Sequence, residues 1–122
     1  MMTVLVVDDE LLVAEVLSYA LEDEGYQVVR ASNGQKALEA LARETPALII
    51  SDFMMPIMNG LELAVSIKAH PATAKIPIIL ISGAQAHIAQ QHSYLFERVL
   101  DKPFDICGLM NTVKTLIVAP QK

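Results

Sequence analysis

The sequence predicts an α/β domain, a doubly wound parallel sheet with helices on both faces. Three observations predict it. Short apolar runs alternate with helical patterns along the whole chain. The runs at 4–7, 47–50 and 78–81 are continuously apolar, as expected of strands covered on both faces. Four of them stop at residues able to do phosphoryl chemistry: residues 4–7 at Asp8-Asp9, 47–51 at Asp52, 78–81 at Ser82, and 98–101 at Lys102. In an open α/β sheet, ligands bind outside the carboxyl ends of the strands. Three carboxylates, a hydroxyl and an ammonium therefore belong on one rim.

Each element has its own signal. The first strand is 4–7. Val13, Val16, Leu17, Ala20 and Leu21 then recur at helical spacing until Gly25 stops the helix. Residues 27–30 make a short second strand. Asn33 is the N-cap of a helix carrying Ala37, Leu38 and Leu41, closed before Pro46. Residues 47–51 are the third strand, 53–60 a loop, and 61–69 the third helix. A linking loop spans 71–77, and Pro77 opens the fourth strand. Residues 84–93 form a weaker fourth helix, 95–101 the fifth strand. Ile106, Leu109, Met110, Val113, Leu116 and Ile117 line a strongly amphipathic last helix. Five βα units imply right-handed crossovers and three layers, a (βα)5 architecture. The helices alone leave the strand order open. A flavodoxin-like order, 2-1-3-4-5, places strands one and three at the switch point and gathers Asp8, Asp9 and Asp52.

The 122 residues fit one domain, expected over 1–118, with 119–122 as a tail. With 53% apolar residues the chain can fill a core. Net charge is −5 and the nine Lys and Arg are scattered, so direct nucleic-acid binding is not expected. Cys107 is the single cysteine, which excludes an internal disulfide and fits a reducing cytosol. No signal-peptide pattern opens the chain, and no apolar stretch nears the roughly 20 residues of a membrane span. A cytoplasmic location is expected.

Crowded carboxylates repel, so at least one should resist ionisation unless a cation intervenes. Mg2+ suits an all-oxygen set, Mn2+ is the other candidate, and zinc is disfavoured without His or Cys nearby. A carboxylate can form an acyl phosphate. Asp52, alone at a strand end, is the candidate nucleophile, expected to be left exposed by the following loop. Lys102 can neutralise a phosphoryl group and Ser82 can donate to it. Each residue alone has a structural explanation in a turn or a helix cap; their coincidence at four strand ends does not.

The quoted segments resemble the receiver domain of two-component response regulators over about residues 3–118. They are Val-Leu-Val-Val-Asp8-Asp9-Glu10, Ser-Asp52-Phe-Met-Met-Pro56-Ile-Met-Asn-Gly60, Ile-Leu-Ile-Ser82-Gly-Ala84 and Asp-Lys102-Pro103-Phe104. The resemblance implies that Asp52 is the phosphoacceptor. Asp9, Asp52 and the Met54 carbonyl would bind Mg2+ directly, Asp8 partly through water. Ser82 would be the switch hydroxyl, Lys102 the phosphoryl contact, and the Lys102-Pro103 bond cis. The implied donor is a sensor histidine kinase or a histidine phosphotransfer protein, and the output a separate effector protein. The implied activity is phosphorelay signalling with intrinsic self-dephosphorylation rather than enzymatic turnover.

This chain departs from the pattern at Val99, where an aromatic residue is usual. A shift of the loop after Ser82 and of the fourth helix is expected instead of an aromatic rotation. The last helix also lacks the basic residues of a charged dimer face. Met54 and Ala84 flank the expected path of attacking water, and neither can orient it. His70, His87 and His92 are read as surface residues, and Met54, Met55 and Met58 as loop packing. Cys107 is read as a core or half-buried residue, and Gly60 and Gly83 as backbone-geometry positions.

Rivals from other classes fit less well. A haloacid-dehalogenase-type phosphatase with Asp8 as nucleophile needs Asp where Glu10 stands. An ATPase needs a Gly-rich phosphate loop, which is missing. The remaining alternatives are a receiver from a larger regulator or hybrid kinase, and a receiver-like binding module that works without phosphorylation.

Overall fold

A computed structural model describes residues 2–83 and 86–117. The strands are β1 (Thr3–Val7), β2 (Gln27–Ala31), β3 (Leu48–Asp52), β4 (Ile78–Ser82) and β5 (Arg98–Asp101). The helices are α1 (Leu11–Asp23), α2 (Gly34–Arg43), α3 (Gly60–Ala69), α4 (Ala86–Gln91) and α5 (Ile106–Ile117). All strand pairs are parallel, in the order β2-β1-β3-β4-β5. The flavodoxin-like order is therefore the observed one.

The continuous apolar runs divide by residue parity. Leu5, Val7, Ile49, Ile78 and Leu80 face α2 and α3, meeting Ala37, Ala40, Leu63, Ala64 and Ile67. Val4, Val6, Leu48, Ile50, Ile79 and Ile81 face α1 and α5, meeting Leu17, Leu21, Leu109, Val113 and Ile117. Burying each such Leu or Ile contributes about 1.5–3 kcal/mol, so the central strands anchor the rim above them.

Local chemistry sets the helix starts. Asn33 accepts from the Lys36 N–H at 2.8 Å to cap α2. Asn59 and Glu62 form a reciprocal capping box on α3. Asp105 accepts from the Gly108 N–H at 2.8 Å at the head of α5. Gly25 leaves α1 with φ +97°, a conformation that favours glycine.

Some expectations need correction. The fifth strand starts at Arg98, not at residue 95: Leu95 closes a 3-10 turn, and both Leu95 and Phe96 plug the α2–α3 side of the core. Val16 is 55% exposed, because α1 buries Ala14, Leu17, Ser18 and Leu21 instead. Cys107 is exposed, off the stripe formed by Leu109, Met110, Val113 and Ile117. Gly83 has open space where a Cβ would stand, so sterics do not demand glycine there. The methionines split: Met55 is buried, Met58 half-buried and Met54 exposed. Ala84 and the tail 119–122 lie outside the described residues.

Candidate phosphoacceptor site

Strand register builds the site. Val7 at the end of β1 pairs with Ser51 of β3, which sets Asp8 beside Asp52. Asp52 pairs with Ile81, so Ser82 follows at the next step of β4. The Lys102 N–H donates to the Ser82 carbonyl at 2.8 Å, which brings β5's last turn to the same rim. One carboxylate oxygen from each of Asp8, Asp9 and Asp52 lies within 4.8 Å of the others. Lys102 Nζ is 2.8 Å from Asp52 Oδ1 and 3.9 Å from Glu10 Oε1. The Lys102–Pro103 peptide bond is cis.

Asp52 is only 4% exposed, against the expectation of an exposed nucleophile. The chain after it folds back: the Gly60 N–H donates to the Phe53 carbonyl at 2.7 Å. A Cβ on Gly60 would stand 2.6 Å from the Asp52 carbonyl and 2.8 Å from Leu80 Cδ1. Gly60 therefore permits a close approach that no other residue allows. The same loop carries a strained position. Ile57 has φ +73°, a left-handed conformation that a β-branched residue rarely adopts.

Electrostatics follow from this burial. Desolvation pushes the Asp8 carboxyl up to about 6; the Glu10 N–H, at 2.9 Å from Asp8 Oδ1, opposes the rise, and the charge of Asp52 adds to it. Burial also raises Asp52, with the Lys102 hydrogen bond and charge pulling against it. Burial alone would lower Lys102, but its hydrogen bond to Asp52 and the surrounding acids outweigh that and raise it. The sequence predicts raised carboxylates from mutual repulsion; loss of water is the larger cause. Two buried acids whose carboxyls are raised by loss of water, facing a third, are a strong attractor for a divalent cation. The donor set is all oxygen, which suits Mg2+.

Ser82 is fully buried, and its hydroxyl has no hydrogen-bond partner among the described residues. A buried donor left unpaired carries a desolvation cost of about 1–3 kcal/mol. Val99 is half-buried against the α2–α3 side of the core, and Tyr94 is exposed. His70 and His87 are exposed and His92 is half-buried; none joins the acid cluster. Glu10, which stands 3.9 Å from Lys102, has no role of its own among the sequence-predicted site residues. Its position directly after Asp8-Asp9 was the available signal.

Comparisons with known proteins agree with this geometry. A family model described as the response regulator receiver domain matches residues 4–114. The chain is 33% identical to the phosphate regulon transcriptional regulatory protein PhoB of Pseudomonas aeruginosa over 117 residues, 94% of this chain and 51% of that protein. It thus spans about half the length of that relative. It is 36% identical to a 14.6 kDa protein of Leptolyngbya boryana over 97% of this chain and 92% of that one. The crystal structure of a histidine kinase's signal receiver domain from Syntrophus aciditrophicus superposes with TM-score 0.90 at 32% identity, covering 97% of this chain and 91% of that one. The response regulator TrrA of Thermotoga maritima, solved in complex with Mg(2+)-BeF, gives TM-score 0.85 at 33% identity, covering 95% of this chain and 99% of that one.

Proposed function

Because this chain belongs to the response regulator receiver domain family, we propose that Asp52 accepts a phosphoryl group from a phosphohistidine. The donor is a sensor histidine kinase or a histidine phosphotransfer protein. The receiver unit spans 1–118. The observation that carries this reading is the convergence at Asp52: two further aspartates within reach of one cation, and Lys102 at 2.8 Å.

An Asp52 carboxylate oxygen attacks phosphorus in line. The O–P bond forms as the N–P bond breaks, and its electron pair returns to the imidazole nitrogen. Lys102 neutralises charge on the transferring group. Ser82 Oγ, buried and without a partner among the described residues, donates to a phosphoryl oxygen. Positioning and charge neutralisation are most of what this chemistry asks of a protein. Asp8, Asp9, Asp52 and the Met54 carbonyl would hold Mg2+, with Mn2+ as a substitute, and the ion supplies further charge neutralisation.

Engaging Ser82 shifts the loop after it and α4 between two arrangements, and so changes a protein-binding face. With Val99 in place of an aromatic residue, no ring rotation reports the switch. Output passes to an effector protein in the cytoplasm, and the acidic charge disfavours direct nucleic-acid contact. Among the described residues no helix is long and apolar enough to cross a membrane. The 51% coverage of PhoB supports a second reading, a receiver belonging to a larger regulator or hybrid kinase. A module that works without phosphorylation is less well supported, since the acids, Ser82 and Lys102 are all present.

The domain loses its phosphoryl group by hydrolysis rather than turning over a substrate. Met54, 57% exposed beside the site, cannot orient the attacking water. Hydrolysis of the acyl phosphate should therefore be slow, and Met54→Asn should shorten its half-life; an unchanged half-life contradicts this role. The test of the main reading is intact mass after incubation with Mg2+ and acetyl phosphate. One phosphoryl group should be gained, and the gain should vanish without Mg2+ or in Asp52→Ala. No gain by the folded protein, from acetyl phosphate or from a phosphohistidine donor, overturns it.

A further inference from the structure

Lys102 occupies Asp52 Oδ1 at 2.8 Å, yet the proposed chemistry needs both oxygens of Asp52. One must face the cation shared with Asp8 and Asp9, and the other must take the phosphoryl group. The ammonium therefore has to give up its present partner before transfer. It cannot simply drift into water at no cost, because its hydrogen bond to a buried carboxylate is charge-assisted. A second carboxylate stands in reach. Glu10 Oε1 is 3.9 Å from Lys102 Nζ, and the Glu10 side chain is 62% exposed, free to follow the ammonium. Its backbone is fixed, since the Glu10 N–H donates to Asp8 Oδ1. The side chain is thus anchored at its root and mobile at its tip, on the open side of the pair.

We propose that Glu10 is a positioning residue: it takes over the Lys102 ammonium when Asp52 turns to the cation, and holds it over the mouth of the site. This rests on the reading of Asp52 as phosphoacceptor with a cation on the three aspartates. It goes further in giving Lys102 two stations before the phosphoryl group arrives, a resting one on Asp52 and, once the cation is bound, one on Glu10 from which it meets the transferring group. Glu10 should then favour the cation-bound state through Lys102, and not merely as one more negative charge.

A double-mutant cycle separates those two roles. Mg2+ affinity would be measured by titration calorimetry on the full chain, for wild type, Glu10→Gln, Lys102→Met and the double variant. The Glu10→Gln change keeps the backbone bond to Asp8 and removes only the carboxylate. It should weaken Mg2+ binding by about two- to fivefold, the range of a partly exposed ion pair. In the Lys102→Met background the same change should have no effect beyond measurement error. An equal loss in both backgrounds overturns the proposal, because Glu10 would then act directly on the ion. So does the lack of any loss in wild type. A wild-type protein that binds no Mg2+ removes the metal reading itself, which is a distinguishable failure.

Discussion

The two halves of the rim are built differently. The β1–β3 half is braced. β3 is buried along its whole length, the loop after Asp52 is pulled back by Gly60, and α3 behind it starts with a full capping box. The β4–β5 half is loose by comparison. β4 is as buried as β3, but the rim it leads to holds a buried hydroxyl with no partner among the described residues, and β5 beside it is partly exposed throughout. The contrast teaches a division of labour. The acceptor's backbone must not move during transfer, so its surroundings are over-determined. The responding element must have two arrangements of similar energy, and the edge strand β5, less buried than the central strands, lies where such freedom is available.

The largest expected effect falls on the braced half. Gly60→Ala forces a Cβ against the Asp52 carbonyl and the Phe53 backbone, neither of which can yield locally. It should cost about 3 kcal/mol of stability, at the upper end for overpacking, and lower the rate of phosphorylation. Denaturant titration checks the first and intact mass the second. A neutral variant would mean that the loop is not held as tightly as its hydrogen bond implies.

Asp8 comes next. Its folded-state carboxyl is raised to about 6 from an ordinary value of 3.8. The native protein therefore holds its proton more tightly than the unfolded chain. In the absence of divalent cations, stability falls as pH rises from about 4 to 6, and the full loss persists above that. The loss is at most about 3 kcal/mol. Asp8→Asn should stabilise the cation-free protein at pH 7–8, with the gain shrinking as pH drops below 6. A gain independent of pH would contradict the burial argument. Mg2+ should narrow the difference by stabilising only the wild type.

On the loose half, Ser82→Ala removes a buried donor without a partner among the described residues. Stability should be unchanged or rise by about 1 kcal/mol, while the spectral response of residues 86–101 to phosphorylation should fall. Heteronuclear NMR of both proteins checks this; a clear loss of stability would reveal a partner for the hydroxyl. The smallest effect is at Ile57. Ile57→Asn relieves left-handed strain at an exposed site and should add about 1 kcal/mol or less, read from the denaturation midpoint.

Much of the braced half was legible in the sequence. Continuous Val, Leu and Ile runs signal strands covered on both faces, and Asn33 is a local cap signal. The strand ends then carry Asp8, Asp9, Asp52, Ser82 and Lys102 to one rim, provided the order is 2-1-3-4-5. What was not legible depends on tertiary packing. Leu95 and Phe96 read as strand because they are consecutive and apolar, yet they are spent on the core before β5 begins. Leu12 and Val16 lie on the exposed face of α1, and that helix is apolar nearly all round, which hides its buried face in the sequence. The chain's return to the Asp52–Phe53 backbone at Gly60, eight residues later, is a tertiary contact that no local pattern announces.

The most direct test fixes the acceptor to one residue. After phosphorylation by acetyl phosphate and Mg2+, borohydride reduces an acyl phosphate to the alcohol, turning the modified aspartate into homoserine. Cleavage after Arg43 and Lys68 then releases residues 44–68, whose acids are Glu44, Asp52 and Glu62. The account predicts homoserine at position 52 and nowhere else in the chain. Homoserine at position 8 or 9, or an unmodified 44–68 peptide from protein that gained a phosphoryl group, would contradict it.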